Sequence, residues 1–208
     1  LKLVSAEFVV SAATGTDAGR MPRDRPHVAL VGRSNVGKSS LINALCRRPV
    51  ARTSAAPGKT RLANVYRVAL QGGPAGPGRH ALYFVDLPGY GYARGSRPSP
   101  RGSDAAGELR AVAEGYLLAD GGPALTLWLV DARHPGLDAD RAAGDWLDHL
   151  GLTRTLVATK IDKLSRAQRA RNLRALEEMF GTAAVPVSAL RGEGLDDLWT
   201  LIAKHTKA

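Results

Sequence analysis

Eight residues near the start of the chain have the types and spacing to bind phosphate. Gly32-Arg33-Ser34-Asn35-Val36-Gly37-Lys38-Ser39 reads G-x-x-x-x-G-K-S, the phosphate-loop pattern. Glycines 32 and 37 let the backbone curl so that successive N–H groups face one anion. The positive end of a following helix adds to that field. Lys38 can reach the terminal phosphates, and the Ser39 hydroxyl can bind Mg2+. Three further groups fall at the ends of apolar runs. Asp86-Leu87-Pro88-Gly89 offers a carboxylate for Mg2+ through water and a glycine N–H for a terminal phosphate. Thr159-Lys160-Ile161-Asp162 offers a carboxylate that matches the adjacent N1–H and 2-amino donors of guanine. Adenine has no such donor pair, so it would leave that carboxylate unpaired. Val187-Ser188-Ala189 brings backbone N–H groups to the last apolar run. Thr60 is a candidate second Mg2+ ligand, with Thr53 and Ser54 as rivals.

The elements that must position these groups are legible from periodicity. His27-Val28-Ala29-Leu30-Val31 is an apolar run expected to be a buried strand before the loop. Leu41, Ile42 and Leu45 then mark one side of a helix that stops near Arg47-Arg48-Pro49. Strands are expected over 61–70 and 80–85, joined as a hairpin by the Gly/Pro-rich residues 71–78. Further strands are expected over 124–130, 153–158 and 184–187, and helices over 104–119, 138–150, 165–180 and 195–205. Glu7-Phe8-Val9-Val10-Ser11 reads as a possible edge strand. Strand and helix alternate, which predicts one doubly wound α/β domain. Its sheet should have six strands, mostly parallel, with one antiparallel strand. The G domain is expected over 27–208, preceded by an extension over 1–26.

Composition sets the class and the partner. The chain has 208 residues and is 44% hydrophobic, enough for a sizeable core. It carries 29 Lys and Arg against 19 Asp and Glu, a net charge of +10. Binding one nucleotide requires no such excess, so a polyanionic partner is expected. Aromatics are only 5%, which favours phosphate-backbone contacts over base stacking. Arg94, Arg97 and Arg101, in a loop expected to move with nucleotide state, are candidates for RNA phosphates. Arg166, Arg169 and Arg174, on a helix face, are weaker ones. The single cysteine, Cys46, excludes an internal disulfide and reads as a small core residue. No apolar run approaches the ~20 residues of a membrane span, and residues 1–10 lack a signal-peptide core. A cytoplasmic monomer that binds neither membrane nor DNA is the simplest expectation.

The motif set is similar to that of a known family. Gly32 to Asn43, Thr53-Ser54 with Pro57-Gly58-Lys59-Thr60, Asp86-Leu87-Pro88-Gly89-Tyr90-Gly91-Tyr92-Ala93 and Thr159 to Leu164 resemble the EngB (YihA/YsxC) GTPases. These are bacterial ribosome-assembly factors with a Ras-like P-loop fold, in the TrmE-Era-EngA-YihA-septin-like superfamily. Thr159, where most GTPases carry Asn, is a trait of the family. The segment Asp131-Ala132-Arg133-His134 resembles it too, and is equally readable as a strand-end turn. The chain departs at Ala55-Ala56, where the family usually has Lys-Thr.

The resemblance implies a GTPase that uses GTP/GDP and Mg2+ in late maturation of the large (50S) ribosomal subunit, required for cell division or growth. It implies nucleotide contacts from Gly32, Arg33, Ser34, Asn35, Val36, Gly37, Lys38, Ser39 and Ser40. Further contacts would come from Gly58, Lys59, Thr60, Arg61 and Leu62, and from Asp86, Leu87, Pro88 and Gly89. Thr159, Lys160, Ile161, Asp162, Val187, Ser188 and Ala189 would meet the base. Lys38, Asn35, Thr60 and Gly89 would serve hydrolysis, and Ser39, Thr60 and Asp86 would hold Mg2+. Asn35 resembles the asparagine of potassium-stimulated GTPases. Tyr90 occupies the position where Ras-like enzymes often place a water-orienting Gln, so slow intrinsic hydrolysis is expected. The alternative is a nucleotide-gated binding protein with negligible turnover. A P-loop kinase is the weaker third reading, because Thr159 to Asp162 argues for guanine.

Overall fold

A computed structural model describes residues 2–12, 21–53, 62–73, 76–90, 105–119 and 122–207. Among the described residues, seven strands make one sheet: β1 (Lys2–Ala12), β2 (His27–Gly32), β3 (Ala63–Gln71), β4 (Arg79–Asp86), β5 (Leu125–Asp131), β6 (Arg154–Thr159) and β7 (Val185–Pro186). The strand order is β1-β3-β4-β2-β5-β6-β7. β3 runs antiparallel to both its neighbours, and the pairings among β4, β2, β5, β6 and β7 are parallel. The helices are α1 (Lys38–Leu45), α2 (Ala105–Leu117), α3 (Asp138–His149), α4 (Arg166–Phe180) and α5 (Leu195–Thr206).

The seventh strand is the candidate edge strand, longer than its sequence suggests. β1 pairs with β3 along its whole length, but the register slips between Leu3 and Ser5 and again between Phe8 and Val10. Each slip inserts one residue and reverses the inward-outward alternation. The period-two signal is therefore broken over Lys2–Ala12, and only its second half is readable.

The central strands show why the sheet holds the phosphate loop rigidly. Every residue of β2 is buried, as expected of a parallel strand covered on both faces. Val28 and Leu30 face one core with Leu41, Ile42, Leu45, Leu198 and Ile202 of α1 and α5. Ala29 and Val31 face the other core, with Tyr116, Leu117, Leu147 and Leu176 of α2, α3 and α4. Truncating a side chain such as Ile42 to Ala would cost about 2–5 kcal/mol. Cys46 closes α1 in the first core, and burial pushes its thiol up to about 12. Its neutral, packed state matches a structural role. The α4 helix begins at a capping box: Gln168 N donates to Ser165 Oγ, and Ser165 N donates to Gln168 Oε1. That cap fixes the turn following Asp162.

Candidate nucleotide-binding site

The phosphate loop, Asp86 and the 159–162 and 187–189 segments converge at the carboxyl ends of β2, β4, β6 and β7. This is the edge where ligands bind in open α/β sheets. Gly37 has φ 113° and Asn35 φ 62°, so the loop needs left-handed backbone at both. Lys38 is buried, and its ammonium donates to the carbonyls of Gly32 (3.1 Å) and Arg33 (3.3 Å). Burial lowers its pKa, and nearby Asp86 opposes that shift. The lysine is thus held inside the loop it encloses.

Asp86 is 1% exposed, and Ser39 Oγ donates to its Oδ2 at 2.5 Å. Its other oxygen, Oδ1, is buried with no hydrogen-bond partner among the described residues. Burial raises the pKa of this carboxyl, while Lys38 and the Ser39 bond lower it. An unpartnered buried carboxylate oxygen beside a serine hydroxyl is a donor set that suits a hard divalent cation. Ser39 and Asp86 therefore fit Mg2+. Thr60 lies outside the described residues, as do Ser54, Gly58, Lys59 and Arg61. Leu62 is described and half-buried, and Thr53 is exposed.

The opposite end of the site is tied to the phosphate loop through 159–162. Thr159 Oγ1 lies 2.8 Å from the Val36 carbonyl and 3.1 Å from that of Val130. Lys160 takes left-handed φ 61° and sends its ammonium to the Asn35 carbonyl (2.6 Å) and to Asp131 Oδ2 (3.0 Å). Its stem is therefore stretched between two fixed points. Asp162 accepts from Ser188 Oγ at 2.8 Å, and Ser188 is fully buried. Ile161 N donates to the Val187 carbonyl, which draws Ile161, Asp162, Val187 and Ser188 into one wall beside half-buried Ala189.

Two acidic residues gain weight that their sequence positions did not carry. Asp131 accepts a two-pronged contact from Arg133 as well as the Lys160 ammonium. Burial alone would raise its pKa, but these bonds bring it down to about 2. Asp131 thus supports the 159–162 segment through Lys160, whereas His134 is exposed. Asp140, on α3, is 2% exposed and accepts from Arg33 Nε and from the Tyr90 hydroxyl, each at 3.1 Å. Burial raises its pKa, against the pull of Arg33 and Tyr90. In sequence Asp140 is an ordinary first-turn acid, and nothing distinguishes it from Asp138.

Leu87 and Pro88 are buried, and Gly89 lies against the phosphate loop. A Cβ on Gly89 would come within 2.7 Å of Ser34 N, so only glycine permits this approach. Ser34 N donates to the Tyr90 carbonyl at 3.1 Å. Arg94, Arg97 and Arg101 lie outside the described residues. On α4, Arg169 pairs with Glu193, while Arg166 and Arg174 are exposed. A separate cleft of about 220 Å3 opens between α3 and α4, lined by Arg141, Asp145, Asp148, Arg154, Met179 and Phe180 among others. It sets two cations against two carboxylates, with Arg154 already paired to Asp148. Among the described residues, no helix is long and apolar enough to cross a membrane.

Comparison with known proteins agrees with this geometry. A family model described as "50S ribosome-binding GTPase" matches residues 27–160. The "Probable GTP-binding protein EngB" of Symbiobacterium thermophilum is 40% identical over 98% of this chain and 97% of its own. The EngB of Chlorobaculum tepidum is 39% identical over the full length of both chains. Among solved structures, Aquifex aeolicus Era bound to GDP and AlF4- shares the fold at TM-score 0.70 and 24% identity, covering 86% of this chain and 56% of that one. Era with MgGDPNP and a 16S ribosomal RNA segment matches at TM-score 0.67 and 25% identity, over the same shares. With a G-x-x-x-x-G-K-S loop, a buried Asp86 and a Ser188-anchored Asp162 on one sheet edge, the chain belongs to the EngB family of P-loop GTPases.

Proposed function

We propose that this GTPase is a nucleotide-controlled switch in late assembly of the large ribosomal subunit, needed for normal cell division and growth. What carries this reading is a guanine-selective wall on a chain with a net charge of +10. A single nucleotide accounts for little of that charge, and rRNA phosphates account for it well. The family description and the RNA-bound Era relative support the same class of partner. Residues 27–208 act as the nucleotide-binding unit, and residues 1–26 are an extension that contributes β1. The protein works as a cytoplasmic monomer and binds neither membrane nor DNA.

Asp162 selects guanine, with Thr159, Lys160, Ile161 and the 187–189 backbone completing the base wall. Residues 32–40 cradle the phosphates, and Lys38 neutralises charge there. Ser39 and Asp86, the latter through water, would hold Mg2+, joined by Thr60 from the segment 58–62. When bound, Mg2+ supplies charge neutralisation at the phosphates. Gly89 offers its N–H to the third phosphate. K+ raises turnover through Asn35; equal rates in K+ and Na+ would remove that element.

Intrinsic hydrolysis is slow, because the Tyr90 hydroxyl is committed to α3 and β5. It donates to Asp140 and accepts from Trp128 Nε1–H at 3.2 Å. The same observation favours the second reading, a nucleotide-gated binder with negligible turnover. Co-sedimentation with ribosomal subunits in GDP and in a non-hydrolysable GTP analogue tests the switch. Nucleotide-dependent association with the large subunit is expected, and its absence rejects the proposal. Phosphate release with and without subunits separates the two readings.

A further inference from the structure

We infer that Asp140 is a positioning residue for GTP hydrolysis. It clamps Arg33 to Tyr90 and so fixes where Gly89 offers its N–H to the third phosphate. This rests on the reading of Gly89 given above.

The argument starts from one backbone bridge. Arg33 and Tyr90 form an isolated bridge of parallel type, which follows the β2–β4 pairing with its register shifted by one residue. Ser34 N closes it on the Tyr90 carbonyl. The side chains of both bridge residues reach the same atom, Asp140 Oδ1, at 3.1 Å each. One carboxylate oxygen on α3 thus holds both halves of the joint between the phosphate loop and the segment after Asp86.

The Tyr90 side chain has no slack. The Tyr90 hydroxyl gives its hydrogen to Asp140 and takes the Trp128 indole N–H, and Trp128 is fully buried. Gly89, one residue before this anchor, lies so close to the backbone of Arg33 and Ser34 that no Cβ would fit between them. A shift of Tyr90 would therefore move Gly89 directly. A helix-capping role for Asp140 explains less. Asp138 supplies a first-turn acid to α3, whereas among the described residues the Asp140 carboxylate is spent on Arg33 and Tyr90. A group that sets the geometry of a phosphate donor without touching nucleotide should act on turnover rather than on binding.

The test compares wild type, D140A, D140N, Y90F and D140A/Y90F as full chains. GDP affinity, KM and kcat for GTP with Mg2+, and thermal midpoint are measured for each. D140A is expected to lower kcat about tenfold or more, with KM and GDP affinity within about twofold. D140N keeps an oxygen that accepts from both partners and should recover most of the rate. Y90F should match D140A, and the double variant should be no slower than the slower single variant. If D140A does not fold, the pair Y90F and D140N/Y90F carries the same comparison, with less than about a twofold difference expected. A folded D140A with wild-type kcat overturns the inference. So does a fall in kcat that only tracks GDP affinity, or losses that multiply in the double variant. A wild-type chain that binds GDP without turnover overturns the Gly89 reading, and the role of Asp140 with it.

Discussion

The Thr159 hydroxyl lies 2.8 Å from the Val36 carbonyl, joining residues 123 positions apart in sequence. A hydroxyl has one hydrogen, and the carbonyls of Val36 and Val130 both lie within its reach. The 159–162 segment and the phosphate loop are thus coupled by a buried bond that a threonine can make. Thr159→Val should leave both carbonyls short of that donor, at a cost of about 1–3 kcal/mol. GDP affinity should fall about tenfold, and Thr159→Ser should keep most of it. Titration with a fluorescent GDP analogue measures both.

The orphaned Asp86 Oδ1 predicts a metal-dependent affinity. Wild type should bind GDP and GTP more tightly in Mg2+ than in EDTA. Ser39→Ala, which removes the hydroxyl beside Asp86, should shrink that difference about tenfold while leaving binding in EDTA nearly unchanged. Calorimetry in the two buffers distinguishes the outcomes, and an unaltered Mg2+ effect would assign the metal elsewhere.

Base selectivity should follow Asp162. Asp162→Asn replaces an acceptor with an amide able to donate, so preference should move from GTP toward xanthosine triphosphate. Ser188 Oγ still finds an acceptor in the new side chain, and the wall should therefore persist. Competition between the two nucleotides reads the switch directly, and retained GTP selectivity would count against Asp162.

A buried histidine gives the fold a dependence on pH. His27 Nε2 lies 2.7 Å from the Pro22 carbonyl, which can only accept, so this nitrogen carries the proton. Nδ1 then accepts from the Tyr116 hydroxyl at 2.6 Å. Burial lowers the pKa below the usual 6.5, and the bond to Pro22 offsets part of that. The unfolded chain binds the extra proton first as pH falls. The stability contributed by neutral His27 is thus complete above about pH 6.5 and declines toward the depressed folded value. Thermal midpoints should drop from pH 7.5 to 5.5 in wild type, and less in His27→Gln. Equal drops would show that other groups titrate.

Packing at α3 makes a purely structural prediction. A Cβ on Gly144 would come within 2.6 Å of the Trp128 ring, which is fully buried. Gly144→Ala should destabilise the fold by about 1–3 kcal/mol, measured by denaturant unfolding. The indole supports Tyr90, so the same change should also disturb turnover.

The sequence alone carried the residue types proposed for the phosphate and base contacts, because those depend on residue type at short spacing. Lys38 and Ser39 are adjacent, Thr159 to Asp162 form one tetrad, and the strands and helices around them carry strong local periodicity. It also gave the antiparallel hairpin, since the Gly/Pro-rich stretch over 71–78 admits little else. What only the tertiary structure decided was which distant groups share an atom. The two slips in β1 hid half of an edge strand, because a bulge erases the alternation that reveals one. Asp140 carried no local signal, since its partners are Arg33 and Tyr90, and the family-like segment at Asp131 gave no sign of its tie to Lys160. Their roles arise where the sheet brings strand ends together over a helix start, and spacing along the chain does not encode that.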